Sequence, residues 1–208
     1  DPVAEGIVIQ KADERALAAG TTTDKIFDMV ESIQDKMHVP MVFMTYANVI
    51  FVYGIEKFAK RSKEIGMSGV IIPDVPFEEK EEMDSVFSKY DLDVISLIAP
   101  TSHDRIQAIA AEAKGFVYCV SSLGVTGMRS TINKGVAQMI EQVKKTKDIP
   151  CAIGFGISTP EQAKEMSEFS DGVIVGSAIV KLVETYGKEC IKPVSEYVKS
   201  MKEAVAEA

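Results

Sequence analysis

Short apolar runs alternate with longer amphipathic segments along the chain, and this order constrains the fold more than any other feature. Apolar runs without polar alternation are typical of parallel strands that helices cover on both faces. Six such runs occur, at residues 41–45, 70–73, 94–99, 116–120, 152–154 and 173–175. The pattern predicts an α/β fold built from repeated strand–helix units around a parallel sheet.

Amphipathic segments fill the intervals between these runs and predict helices. They cover residues 55–65, 78–88, 102–113 and 191–208, with two more before the first strand at 9–18 and 24–34. Ser158-Thr159-Pro160-Glu161 predicts a helix start, because a capping hydroxyl is followed by proline and an early carboxylate. Since 208 residues with 46% hydrophobic content can bury one sizeable core, we expect a single domain over residues 1–208.

Two glycine turns follow the last two strand-like runs. Gly154-Phe155-Gly156 and Gly176-Ser177 each end a strand and open a helix. Glycine lets backbone N–H groups approach an anion closely, and a helix N-terminus adds the positive end of its dipole. Taken alone, either turn can be an ordinary strand-to-helix connection. As a neighbouring pair, they predict a phosphate site at the carboxyl ends of two adjacent strands.

The number of strands leaves two architectures open until the glycine turns are considered. Six units fit an open doubly wound sheet, whereas a closed parallel barrel has eight. A phosphate site in (β/α)8 barrels commonly follows strands seven and eight, which makes residues 41–45 strand three. The sequence then predicts a (β/α)8 TIM barrel with strands 3–8 present. About the first two strands and the first helix would be absent from this chain.

Two acidic segments are candidates for chemistry near the barrel mouth. Residues 1–6 place Asp1, Glu5 and a glycine in the segment before the first helix, although terminal carboxylates are often only solvated. Asp74 lies between Pro73 and Pro76, a rigid turn that can hold its carboxylate in place. An aspartate in this position can equally well cap a helix.

Two tyrosines and one long connection complete the candidate site. Tyr46 and Tyr118 lie near the carboxyl halves of strands, where they can line an apolar pocket or pack in the core. Residues 121–134 contain Gly124 and Gly127 and lack a strand pattern. Loops of this length in a compact domain often act as lids.

Composition excludes several other classes of protein. A formal net charge of −8 is unsuited to nucleic acid, which binds basic surfaces. No apolar run approaches the ~18 residues of a membrane span. Neither His38 nor His103 sits in a metal-ligand spacing, so we expect no metal. The three cysteines, Cys119, Cys151 and Cys190, have no paired spacing and are interpreted as reduced thiols of a cytoplasmic protein.

Several motifs together resemble one known family. They are Ile-Pro-Asp-Val-Pro at 72–76, Gly-Val-Thr-Gly at 124–127, Gly-Phe-Gly-Ile-Ser-Thr-Pro-Glu-Gln at 154–162 and Gly-Ser-Ala-Ile-Val-Lys at 176–181. With Asp-Pro-Val-Ala-Glu-Gly at 1–6, they stand in the order and spacing of the tryptophan synthase alpha subunit. The resemblance covers the chain from Asp1 to the C-terminus.

The resemblance implies a lyase that cleaves indole-3-glycerol phosphate into indole and glyceraldehyde 3-phosphate. Glu5 stands where the family has an aspartate that faces the indole nitrogen, so the carboxylate is kept on a side chain one methylene longer. The family's catalytic glutamate lies on strand two, upstream of Asp1. We therefore expect the natural gene product to be longer than these 208 residues.

The resemblance also assigns narrower roles. It implies that Tyr118 is a pocket residue and that Thr126 is a lid residue contacting the Glu5 carboxylate when the lid closes. Residues implied to bind the substrate and its phosphate are Gly127, Gly154, Phe155, Gly156, Gly176 and Ser177. Residues implied to lie at the pocket mouth or partner interface are Tyr46, Asp74 and Pro76.

A partner subunit is the last implication of the resemblance. The family docks on a pyridoxal-phosphate-dependent beta subunit in an α2β2 complex and passes indole to it through a tunnel. No cofactor is expected on the alpha chain itself, because pyridoxal phosphate belongs to the partner.

Two rival functions remain open from the sequence. One is another phosphate-binding barrel enzyme, such as an indole-glycerol-phosphate synthase or a ribulose-phosphate epimerase, although the 124–127 motif and the 1–6 loop disfavour it. The other is a catalytically impaired, truncated form that only binds and activates a beta subunit. An assay of indole release with and without that subunit discriminates these possibilities.

Overall fold

The computed structural model describes residues 5–99, 105–121, 129–154 and 156–208, with the side chains of 129–134 left out of the description. The described strands are β1 (Val42–Met44), β2 (Gly69–Ile71), β3 (Asp93–Ile98), β4 (Val117–Val120), β5 (Cys151–Gly154) and β6 (Gly172–Ile174). The helices before β4 are α1 (Ile7–Ala18), α2 (Thr23–Ile33), α3 (Ala47–Tyr53), α4 (Ile55–Glu64), α5 (Lys80–Phe87) and α6 (Ile106–Glu112). Those after it are α7 (Arg129–Thr146), α8 (Pro160–Ser167), α9 (Ser177–Tyr186) and α10 (Ile191–Ala206).

All six predicted strands are confirmed, with ends that differ from the prediction by no more than two residues. The predicted helices within the described residues are confirmed as well. Short apolar runs between amphipathic segments form strands here because parallel strands are covered on both faces.

Two helices differ from the prediction. The predicted 121–134 loop was too long, because α7 already begins at Arg129. Helix α3 was not predicted at all, since its sequence Ala-Asn-Val-Ile-Phe-Val-Tyr is rich in residues that favour strands. Its first N–H group is held by a side chain distant in sequence, which supplies a helix start that local propensity does not indicate.

The chain forms two compact units, one of residues 14–96 and one of residues 5–13 with 97–208. In the first unit, β1, β2 and β3 pair in parallel, with Phe43 opposite Val70 and Val70 opposite Val94. Its core consists of aliphatic side chains and a cluster of aromatic rings from β1, α2, α3, α4 and α5. The Phe27 and Phe58 ring centroids are 5.1 Å apart in an edge-to-face arrangement, a geometry that aromatic pairs prefer.

The second unit holds the parallel strands β4, β5 and β6. Tyr118 pairs with Ala152, and Gly154 pairs with Ile174. Side chains of β5, α6 and α7 are buried in this unit, among them Ile153, Ile109 and Val143. This packing fixes the carboxyl ends of the strands, which carry the glycine turns.

Candidate active site

Both glycine turns lie at the same edge of the second unit. Strands β5 and β6 run parallel, and Gly154 at the end of β5 is opposite Ile174 at the end of β6. The turns at Gly156 and Gly176 therefore each follow their strand by two residues and leave the sheet side by side. The predicted placement of two glycine turns at neighbouring strand ends is present in the structure.

The turn after β5 begins at a firmly held carbonyl group. The Gly154 carbonyl oxygen accepts hydrogen bonds from the Ser121 N–H at 3.0 Å and from Ser121 Oγ at 3.1 Å. Ser121 is completely buried, so these bonds are shielded from competing water. Two residues later, Gly156 has φ +78°, a left-handed conformation that favours glycine.

The same turn ends in a tightly capped helix start. Thr159 is the N-cap of α8, which confirms the helix start that the Ser-Thr-Pro-Glu pattern predicted. It also forms a capping box with Gln162. The Ser158 N–H donates to Gln162 Oε1 at 2.9 Å, and the Ser158 carbonyl accepts from the Tyr197 hydroxyl at 2.9 Å. Gly156 and Ile157 thus lie between two anchored residues, Gly154 and Ser158.

The turn after β6 is the start of α9. Gly176 is the N-cap residue, and its carbonyl accepts from the Ile179 and Val180 N–H groups at 2.9 and 3.1 Å. An added Cβ at Gly176 would meet no heavy atom within 4 Å, so the space beside this residue is open. The first N–H groups of a helix have no partner within the helix, and here they begin at Ser177.

Tyr118 lies directly against the turn after β5. A Cβ added to Gly154 would collide with the hydroxyl oxygen and two ring carbons of Tyr118. Burial raises the pKa of the Tyr118 phenol, and the negative charge of Glu5 raises this pKa further. The phenol therefore keeps its proton at neutral pH and can act as a hydrogen-bond donor.

Glu5 is positioned by the start of α1. Its backbone carbonyl accepts from Gln10 Nε2 at 2.7 Å, and the Gly6 carbonyl accepts from the N–H groups of Ile9 and Gln10, each at 3.0 Å. The predicted loop carboxylate of Glu5 is close enough to the predicted pocket tyrosine for its charge to raise the pKa of the Tyr118 phenol. A carboxylate, a protonated phenol and the two glycine turns thus lie within one compact unit.

The three residues predicted at the pocket mouth or partner interface lie in the first unit. Asp74 accepts two hydrogen bonds from the Ala47 N–H, at 3.0 Å to Oδ1 and 3.2 Å to Oδ2. Tyr46 is the N-cap residue of α3, and Pro76 is exposed in the segment before α5. Of the two interpretations of Asp74, helix capping is present in the structure, although the capped helix is α3 rather than the one that follows in sequence.

Three other predicted residues, Thr126, Gly127 and Phe155, lie outside the described residues. Within the part of the chain that the structure describes, no three His, Cys, Asp or Glu side chains are grouped so that they would hold a metal ion. In the same residues, no helix combines the length and apolar character needed to cross a membrane.

Two residues of this site were missed by the sequence analysis. Ser121 donates a hydrogen bond to the Gly154 carbonyl, 33 positions away in the sequence. Tyr197 donates one to the Ser158 carbonyl, 39 positions away. Neither contact leaves a local pattern in the sequence. The only signal for Ser121 was a polar residue directly after a buried strand.

Parallel strand–helix units with paired glycine turns at the carboxyl ends define the class of phosphate-handling (β/α) barrel proteins. Comparison with known proteins narrows this class. The family model for the tryptophan synthase alpha chain matches residues 1–206. The tryptophan synthase alpha chain of Lacticaseibacillus casei is 45% identical over 205 residues, covering 99% of this chain and 77% of that relative.

Solved structures agree with the sequence comparison. Tryptophan synthase subunit alpha from Campylobacter jejuni matches with a TM-score of 0.87 at 33% identity, covering 95% of this chain and 79% of that one. The subunit alpha from Legionella pneumophila str. Paris matches with a TM-score of 0.87 at 35% identity, covering 100% of this chain and 79% of that one.

The chain belongs to the tryptophan synthase alpha chain family. It therefore has the family's (β/α) barrel fold, as predicted, and it is an enzyme of the lyase class in tryptophan biosynthesis.

Proposed function

We propose that this chain catalyses the retro-aldol cleavage of indole-3-glycerol phosphate to indole and glyceraldehyde 3-phosphate. The observation that carries the proposal is the pairing of Gly154 with Ile174. This pairing sets the two glycine turns side by side, in the unit that also holds Tyr118 and Glu5. A substrate with a phosphate at one end and an aromatic ring at the other suits this combination of groups.

The phosphate is assigned to the two turns. Backbone N–H groups at a helix N-terminus bind anions because their partial positive charges are not used within the helix. The open space beside Gly176 leaves room for phosphate oxygens near Ser177. Gly156, with its positive φ, is assigned to the same subsite from the turn after β5. Phe155 and Gly127 are assigned to this subsite as well.

The reaction breaks one carbon–carbon bond, adds one proton and removes another, without a net change in charge. The bond between indole C3 and the glycerol chain breaks after C3 gains a proton, and its electrons return to the indole ring. The adjacent glycerol hydroxyl loses a proton and becomes the aldehyde. We assign Glu5 to the indole N–H, where a carboxylate stabilises the positive charge that develops on the ring. Tyr118, protonated and buried, lines the pocket for the ring.

The remaining roles extend the proposal to a partner. Indole would pass to a pyridoxal-phosphate-dependent beta subunit in an α2β2 complex, so the alpha chain needs no cofactor of its own. Tyr46, Asp74 and Pro76 are assigned to that interface, and Thr126 is assigned to a lid that closes over the substrate. We place the reaction in the cytoplasm, in keeping with three free cysteines.

Indole release by the purified chain tests the proposal, measured with and without a beta subunit. Glu5→Gln removes the charge while keeping the shape of the side chain, and we expect a loss of about 10²-fold or more in kcat. Glu14→Gln on α1 is the matched control, because Glu14 is exposed, and its activity should equal that of the wild type.

The outcomes separate the possible functions of the chain. Full activity of Glu5→Gln would remove Glu5 from the mechanism. A wild-type chain that activates a beta subunit yet releases no indole would instead be a binding module. A chain that does neither, and binds no phosphorylated ligand, would contradict the proposed function altogether.

A further inference from the structure

Helix α10 is connected to the turn after β5 by a hydrogen bond from one hydroxyl group. Tyr197 lies on α10, which packs against α8, and its hydroxyl donates to the Ser158 carbonyl at 2.9 Å. Ser158 stands two residues after Gly156 and directly before the N-cap of α8. The contact thus joins α10 to the segment between the turn and its helix.

Both peptide groups of Ser158 are held by side chains from two different helices. Gln162 Oε1 of α8 accepts from the Ser158 N–H at 2.9 Å and from the Thr159 N–H at 3.2 Å. Tyr197 supplies the second restraint, on the carbonyl side. A peptide group that is held only at its N–H can still tilt. The peptide group between Ser158 and Thr159 is held at its N–H by Gln162 and at its carbonyl by Tyr197, so its orientation is fixed.

This restraint matters because of what precedes Ser158. The segment from Gly154 to Ser158 is anchored at its first residue by Ser121 and at its last by Gln162 and Tyr197. Gly156 is the most adaptable residue between them, because glycine has the widest range of backbone conformations. Release of one anchor would allow the amides of Gly156 and Ile157 to turn away from a ligand.

We propose that Tyr197 is a positioning residue of the phosphate subsite, because its hydroxyl orients the turn after β5 from outside the turn itself. The inference rests on the proposed function of that turn. Tyr197 does not touch the reacting atoms. It acts through the backbone of Ser158, so its removal should weaken phosphate binding and leave the chemical step unchanged.

Tyr197→Phe is the appropriate variant, since it removes the hydroxyl oxygen and keeps the ring. The probes are glycerol 3-phosphate, which carries the phosphate without the indole, and indole, which carries no phosphate. Calorimetric titration should show glycerol 3-phosphate binding about fivefold more weakly, as expected for one lost hydrogen bond. Indole affinity and kcat should not change, while KM for indole-3-glycerol phosphate should rise by a similar factor.

Tyr186→Phe is the matched control. Tyr186 is 48% exposed and ends α9, about 14 Å along the helix from Ser177 at 1.5 Å per residue. Its loss of a hydroxyl should change neither affinity. If Tyr197→Phe binds glycerol 3-phosphate as tightly as the wild type, the positioning role is wrong. An equal loss of affinity for both probes, or a loss of kcat, would indicate a general loss of structural order in the site. Either result would also contradict the positioning role of Tyr197.

Failure of the proposed function gives a different result. In that case the wild-type chain itself would neither bind glycerol 3-phosphate nor release indole. If the wild type binds glycerol 3-phosphate, the affinities of the two variants for the same probe test the role of Tyr197.

Discussion

The Tyr118 phenol occupies the space that a side chain on Gly154 would need. A Cβ at Gly154 would lie far inside van der Waals contact with the Tyr118 hydroxyl oxygen and two of its ring carbons. The two residues belong to neighbouring strands, β4 and β5, and Tyr118 is 6% exposed. The absence of a side chain at Gly154 is therefore a condition for the position of the tyrosine.

Gly154→Ala should destabilise the chain by about 1–3 kcal/mol, the usual cost of overpacking a filled site. Because the collision is with Tyr118, the double variant Gly154→Ala/Tyr118→Ala should recover part of that loss. Urea unfolding of both single variants and the double variant gives the coupling, expected at about 1 kcal/mol or more. Gly172→Ala is the control, since an added Cβ there meets nothing within 4 Å. Additive effects of the two substitutions would contradict the contact.

The ionisation of Tyr118 tests its proximity to Glu5. The anion raises the pKa of the phenol because it disfavours a second negative charge nearby. Glu5→Gln should therefore lower this pKa, although burial will keep it above the ordinary tyrosine value. Ultraviolet titration of tyrosinate measures the change, and Tyr118→Phe identifies which transition belongs to this residue. Glu14→Gln should leave the transition in place, and an unchanged Tyr118 titration in Glu5→Gln would show that the two groups do not interact.

The parts of the site that the sequence predicted are those with a local signal. Glycines directly after an apolar run indicate a strand end, as at Gly154 and Gly176. The hydroxyl, proline and carboxylate at 158–161 likewise indicate a helix start. In each of these cases, the interacting groups lie within a few residues of one another, so a pattern in the sequence is sufficient.

The parts that were missed depend on contacts between distant segments. Ser121 and Tyr197 hold the turn after β5 from 33 and 39 residues away. Helix α3 starts where Asp74 accepts from Ala47, 27 residues earlier. Such contacts form only after the strands and helices have packed, and no single segment of the sequence contains both partners.

Asp74 should contribute measurably to the stability of the first unit. Its carboxylate accepts from the Ala47 N–H, which would otherwise have no partner within α3. Asp74→Ala should lower the free energy of unfolding by about 1 kcal/mol, as for other lost helix caps. Asp74→Asn keeps one accepting oxygen and should lose less. Asp35→Ala, at an exposed position before β1, is the control, and equal unfolding curves for Asp74→Ala and the wild type would rule out the cap.

Asp171 should make the stability of the second unit depend on pH in the acid range. Lys144 Nζ lies 2.6 Å from Asp171 Oδ2, and the same oxygen accepts from the Cys151 N–H at 2.7 Å. Partial burial opposes ionisation, but these two hydrogen bonds outweigh it and hold the pKa of Asp171 below its ordinary value. A carboxyl group with a lower pKa in the folded state stabilises it above the unfolded pKa of about 3.9. This stabilisation is lost as the pH falls through the lower, folded value.

Asp171→Asn should therefore lower the free energy of unfolding at pH 7 by about 1 kcal/mol, a modest value because the Asp171 side chain is 46% exposed. As the pH falls from about 4 through the lower, folded pKa of Asp171, the curves of the variant and the wild type should converge. Asp171 becomes neutral first in the unfolded state and then in the folded state. Urea unfolding between pH 2.5 and pH 7 measures the difference. Glu141→Gln is the control. Its ion pair with Lys145 is exposed on α7, the helix that carries Lys144, so this substitution should have no measurable effect on the free energy of unfolding. A constant difference between Asp171→Asn and the wild type at every pH would mean that the Asp171 charge does not contribute.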